Sequence, residues 1–147
     1  MDSISVQLAV KSPRNVDFED LIKTICHDIF GYSDLRIMVF NNHKLLKKLS
    51  KDDFELLALL DNPAPHIYNI MVNTDNPSRD VICHELIHLD QYERGDLSRS
   101  KDYKTITWKG EEFTKDLDYS DREWEHEAFG NSRKLWKQYK KIKEERE

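Results

Sequence analysis

The segment His84 Glu85 Leu86 Ile87 His88 constrains the fold of this 147-residue chain more than any other. It lies inside a stretch from about Ser78 to Arg94 in which Ile82, Leu86 and Leu89 recur at helical spacing. Asn76 Pro77 Ser78 opens that stretch, with proline near the first turn where its missing N–H costs least, and Gly95 stops it. On a helix, residues four apart share a face with Cβ atoms roughly 5 to 6 Å apart, so both imidazoles can reach one ion at about 2.0 to 2.1 Å. His84 and His88 share a face offset from the apolar stripe, so both need a polar reason to be there. Chance explains the pattern poorly: 6 His and 12 Glu in 147 positions give about 0.02 expected matches. Glu85, one step round the helix, can touch an ion-held water without ligating the ion. Zinc lowers the pKa of such a water toward about 7, and a neighbouring carboxylate can take its proton as the water attacks a carbonyl.

A catalytic zinc site takes a third protein ligand and keeps one position open. Positions 91 and 94 are Gln91 and Arg94, which excludes the extended motif that ends in a third histidine. The other source is a carboxylate on a second helix, and a final helix is expected from about Asp121 to Glu144. Within it Glu127, followed by Ala128 and with Asn131 one turn later, is the first choice. Glu123 one turn earlier, His126, Glu125 and the distant His66 are the alternatives. Asn131 fits equally a partner of a ligand imidazole and a solvated helix residue. Cys83 is about 100° round the helix from His84 and reads as a packing cysteine.

The remaining pattern points to one α+β domain spanning residues 1–147. Strands are expected over 3–10, 35–40 and 66–73, and a helix over 16–30 ending at Gly31. Ser50 Lys51 Asp52 Asp53 reads as the cap of a short helix through Leu60, and Asp61 to Pro65 as a turn cluster. A hairpin is expected from Thr105 to Phe113, turning at Lys109 Gly110. Arg133, Lys134, Lys137, Lys140, Lys141 and Lys143 surround Leu135, Trp136, Tyr139 and Ile142, the pattern of an amphipathic helix that packs its apolar side.

Hydrophobic residues are 38% and charged residues 35%, enough for a modest core under a charged surface. The net charge of −5 gives no bulk attraction to nucleic acid, which is not the expected partner. No apolar run approaches the roughly 18 residues of a membrane span, so no membrane association is expected. Met1 to Ser5 carries no basic and apolar leader pattern, and the 2 cysteines, Cys26 and Cys83, are too few for a disulfide scaffold. A cytoplasmic location is the expectation.

These residues resemble the gluzincin class of zinc metallopeptidases, and within it small phage-type metallopeptidases. Their pattern joins His-Glu-Leu-Ile-His and a following Gln to Trp-Glu-x-Glu-Ala. Here that is His84 to His88 with Gln91, then Trp124 Glu125 His126 Glu127 Ala128, with Trp108 Lys109 Gly110 before them. The resemblance covers roughly residues 66 to 131, and Asn131 and Glu123 depart from it, standing where Asp and Pro are common. It implies a zincin-like domain with a short mixed β-sheet, an N-terminal helix, an active-site helix and a C-terminal helix carrying the third ligand. One Zn2+ ion would be held by His84, His88 and Glu127, with Glu85 as general base. Tyr119 resembles in placement an oxyanion-stabilising tyrosine, with His126 and Arg122 as alternatives. Ala128 would be small because the two metal-bearing helices pack closely. The implied substrate is a peptide or unfolded protein segment, held in extended form on strand 66–73. A protease dedicated to one regulatory or DNA-bound protein and a non-catalytic zinc-stabilised module share the same residues. Glu85 favours catalysis, because a structural site gains nothing from a carboxylate that does not ligate.

Overall fold

Residues 4–50, 56–114 and 116–146 are described by the computed structural model. Alternating apolar residues build its main sheet. β1 (Ser5–Ala9), β2 (Arg36–Asn41) and β4 (Ile67–Val72) run parallel, with Val6 opposite Ile37 and Ile37 opposite Tyr68. β3 (Ala58–Ala64) lies antiparallel to β4, and the strand order is β1-β2-β4-β3. Ile37, Val39, Tyr68, Ile70 and Leu60 point to one face, where they form the main core with three helices. Those helices are α1 (Phe18–Thr24), α3 (Arg79–Glu93) and α4 (Glu123–Arg146). Met71 and Leu59 point to the other face, under α2 (His43–Leu49). A separate antiparallel sheet of β5 (Leu97–Arg99), β6 (Thr105–Trp108) and β7 (Glu111–Thr114) follows α3. The architecture is α+β, as expected. No helix among the described residues is long and apolar enough to cross a membrane.

Several elements follow directly from local chemistry. Asp17 caps α1 by accepting from Glu19 N at 2.9 Å, and the helix continues as a π-helical turn over Ile25–Ile29 before Gly31. Lys109 and Gly110 both have positive φ, 49° and 84°, the requirement of a two-residue I′ turn between β6 and β7.

The expected helix ending at Leu60 is not found: Ala58–Leu60 belongs to β3, and residues 51–55 lie outside the described residues. Burial decides against the helix, since Leu59 and Leu60 face opposite sides of the sheet and both are buried. The expected turn at Asp61 to Pro65 is largely strand as well. β3 is an edge, and Pro63 falls where its register on β4 shifts between Asp61 and Ala64, a place where a strand tolerates proline. Asn62 holds that irregularity by donating Nδ2 to the carbonyls of Ala64 and Ile67, each at 2.8 Å. β4, expected to hold an extended substrate, is an interior strand between β2 and β3.

Candidate metal centre

α3 is fixed at both ends and along one side. Ser78, outside the helix, accepts from Val81 N at 3.2 Å, so Pro77 precedes the cap rather than opening the first turn. At the other end Gly95 takes φ 80°, its N–H meets Tyr92 O, and Asp96 N meets Gln91 O, which is a complete Schellman stop. Ile82, Cys83, Leu86 and Leu89 are buried in the main core and set the rotation of the helix. Cys83 is a packing residue whose free thiol burial pushes up to about 12. That rotation turns His84, Glu85 and His88 toward the start of α4 and the small sheet.

The first turn of α4 is anchored by Trp124, which packs with Leu97, Ile106 and Trp108 of the small sheet. Ala128, one turn later, is fully buried in the main core beside α3. Between these anchors Glu125 faces α3. Its Oε1 lies 3.0 Å from His84 Nε2 and 2.9 Å from His88 Nε2. Tyr119, in a short 3-10 turn over Tyr119–Asp121, donates its hydroxyl to the same oxygen at 3.0 Å. The two imidazole centroids are 4.9 Å apart. Glu85, 5% exposed, completes a His84, Glu85, His88 group whose ligand atoms lie within 4.8 Å of one another and could hold a metal ion. Phe129 borders this group on the solvent side: it is 61% exposed, and its ring centroid lies 4.6 Å from that of His84.

The electrostatics follow from burying charge in pairs. Burial raises the Glu125 carboxyl, but the His88 and His84 rings against it outweigh this and hold it well below the usual carboxylate range. Burial lowers the His88 imidazole, but Glu125 and then Glu85 outweigh this and the net shift is upward. Glu85 goes up, because burial exceeds the pull of His88 and His84. Tyr119 goes up by burial and then by the Glu125 charge. Two imidazole nitrogens and one carboxylate oxygen converging on one point are a donor set that fits a divalent ion of the zinc type.

Glu127, the first choice to complete the set, does not meet the histidines. Its Oε1 accepts from Arg94 Nη2 at 2.6 Å and from Gln91 Nε2 at 3.1 Å. The reason is rotation: two residues along a helix are about 200° apart, and Trp124 and Ala128 fix which side faces α3. The alternatives are engaged elsewhere too. Glu123 accepts from Trp108 Nε1 at 2.9 Å, His126 meets Ser120 O, and His66 meets Glu93 at 2.9 Å. Asn131 donates to the Glu127 carbonyl at 2.7 Å rather than to an imidazole. Arg122 lies over the Tyr119 ring at 5.6 Å and donates Nε to Leu117 O.

Two residues matter more here than the sequence reading allowed. Glu125 ranked low, although it lies closer than Glu127 to the apolar line of α4. Gln91 had no assigned role, yet it is fully buried and its Oε1 is 2.7 Å from His88 Nδ1. Comparison with protein-family models, curated proteins and solved structures returned no match.

Proposed function

We propose that the protein is a zinc-dependent peptidase with a zincin-like arrangement, in which His84, His88 and Glu125 hold the ion and Glu85 is the general base. The observation that carries this reading is that Glu125 Oε1 lies within 3.0 Å of both His84 Nε2 and His88 Nε2, beside a buried Glu85. Three protein donors of this kind leave a fourth position open, as catalytic rather than structural zinc sites do. When bound, zinc supplies Lewis acidity, acidifying a water and polarising a carbonyl.

The chain's own residues supply the remaining chemistry. Glu85 accepts the proton of the attacking water on its carboxylate and returns it to the leaving amine. Burial shifts its carboxyl upward, the direction that a general base working near neutral pH needs. The Tyr119 hydroxyl, which shares the Glu125 oxygen with the two imidazoles, is the donor we assign to the developing oxyanion. β3 is the sheet edge next to α3, so we assign to it, and not to β4, the binding of an extended peptide or protein segment by strand addition. Cys26 and Cys83 are free and buried, which suits the reducing cytoplasm we propose as its location.

The test is elemental mass spectrometry on protein purified without a metal-affinity tag, followed by hydrolysis of denatured casein. About one zinc per chain is expected, lost in His84→Ala. Glu85→Gln is expected to keep zinc and lose hydrolysis. Absence of zinc even after it is supplied, or unchanged hydrolysis by Glu85→Gln, overturns the reading.

A further inference from the structure

We infer that Gln91 and Glu127 are positioning residues for this centre: together they fix the tautomer and orientation of His88. The tautomer part of the inference stands on the protein alone, and its bearing on metal affinity rests on the function proposed above. The side chain of Gln91 is fully buried, and every polar group on it is engaged. Its Nε2 donates to Trp124 O at 3.0 Å and to Glu127 Oε1 at 3.1 Å. Both partners can only accept: one is a backbone carbonyl, the other a carboxylate held by Arg94 Nη2 at 2.6 Å.

That settles which way the amide points. Turning it over would set its oxygen against a carbonyl and a carboxylate and leave two N–H donors facing the imidazole, so the amide oxygen must face His88. At 2.7 Å that oxygen accepts from His88 Nδ1, which therefore carries a proton whatever occupies Nε2. The nitrogen left to take an ion is Nε2, the one that faces Glu125.

Glu127 acts one step further out. It keeps Gln91 from turning, and Arg94 in turn ties Glu127 to the C-terminal end of α3. The guanidinium also stands 3.6 Å from Asp90 and 3.4 Å from Asp96, so the clamp is built on the same turn that carries Gln91. The two carboxylates of the Glu-x-Glu pair thus divide the work: Glu125 faces the histidines directly, and Glu127 reaches His88 through Gln91. Outer partners of ligand histidines typically change metal affinity by about 10- to 100-fold.

The experiment combines histidine-selective 15N–1H correlation spectra of the metal-free protein with zinc affinity from chelator competition. In the wild type, His88 is expected to show a protonated Nδ1. Gln91→Leu leaves Glu125 as the acceptor facing His88, so neutral His88 is expected to move to the Nε2-protonated tautomer, and zinc binding to weaken by about 10- to 100-fold. Glu127→Ala is expected to act in the same direction, and Glu127→Gln, which keeps an acceptor for Gln91, to restore the wild-type spectrum. Unchanged His88 tautomer and zinc affinity in Gln91→Leu overturn the inference. If that variant does not fold, the partly exposed Glu127→Ala and Glu127→Gln pair decides it by the same spectra. A protein that binds no zinc removes the proposed function, but the metal-free spectra still decide the role of Gln91.

Discussion

Glu125 and Glu127, two residues apart on α4, serve opposite sides of the helix: one meets the His84 and His88 rings, the other is bonded by Arg94 and Gln91. The same helix rotation produces both arrangements, because Trp124 and Ala128 pin α4 against the small sheet and α3. A chemically redundant acidic pair in the sequence therefore becomes two distinct roles in the fold.

Zinc affinity should rank the two carboxylates. Under the proposed ligand set, Glu125→Ala removes a direct donor and should cost more than the about 10- to 100-fold expected for an outer partner, the role proposed for Glu127. Chelator competition on the two purified variants measures the difference. A larger loss in Glu127→Ala than in Glu125→Ala would return the ligand to Glu127.

Removing the Tyr119 hydroxyl separates binding from turnover. Tyr119→Phe deletes the donor that lies 3.0 Å from Glu125 Oε1 while leaving the ring against Phe129. Loss of one oxyanion donor typically lowers kcat by about 100- to 1,000-fold. Because the same hydroxyl bonds the Glu125 oxygen, zinc affinity should also fall, by up to the roughly 10- to 100-fold of an outer partner, so kcat is measured at saturating zinc beside metal titration. An unaltered kcat would take Tyr119 out of the reaction.

How much of this the sequence discloses depends on whether local and tertiary signals agree. At α3 they agree: helical spacing, the Asn76 Pro77 Ser78 opening and a glycine stop all mark the observed Arg79–Glu93, and the Lys109 Gly110 turn is equally legible. At β3 they conflict. Asp61 Asn62 Pro63 reads locally as a turn, and only the edge position makes it acceptable as strand. The ligand question was one of rotation. At 100° per residue, Glu125 lies about 60° from the mean line of Ala128, Leu135 and Tyr139, and Glu127 about 100° away on the other side. That arithmetic favours Glu125, but it needs the knowledge that those three residues form the buried line of α4, which packing supplies. Gln91 belongs to the sequence pattern, but its role was hidden for a similar reason: its partners Trp124 and Glu127 are more than thirty residues away.

Alkaline stability should depend on Tyr68. This β4 residue is buried and donates its hydroxyl to Glu93. Burial first, then the hydrogen bond and charge of Glu93, raise its phenol far above the usual 10.0. A raised folded-state value means that the folded protein holds the proton more tightly than the unfolded chain. The resulting stability is complete below about pH 10 and is lost as pH rises beyond it, at up to about 1.4 kcal/mol per pH unit for one such group. Urea unfolding between pH 8 and pH 11 should therefore show a falling limb that is shallower in Tyr68→Phe. An identical limb in the variant would assign the alkaline loss to other groups.

The approach of α4 to α3 should be limited by Ala128, which has no exposed surface and lies between Trp124 and Leu135 along the buried line of the helix. Helix separation depends on the side chains at the crossing, so a larger residue there must push the two helices apart or force strained rotamers. Ala128→Leu is expected to destabilise the protein by about 1 to 3 kcal/mol. It should also weaken zinc binding, because Glu125, almost one turn earlier, moves away from His84 and His88 with the helix. Ala128→Gly separates the two effects: it costs about 1 kcal/mol of helix propensity but leaves the helices free to stay close. Urea denaturation should show both variants destabilised, while zinc titration should show a loss for leucine alone. Intact zinc affinity in a folded Ala128→Leu protein would mean that Glu125 is positioned by its local anchors at Trp124 and Tyr119, and not by the packing of α4 on α3.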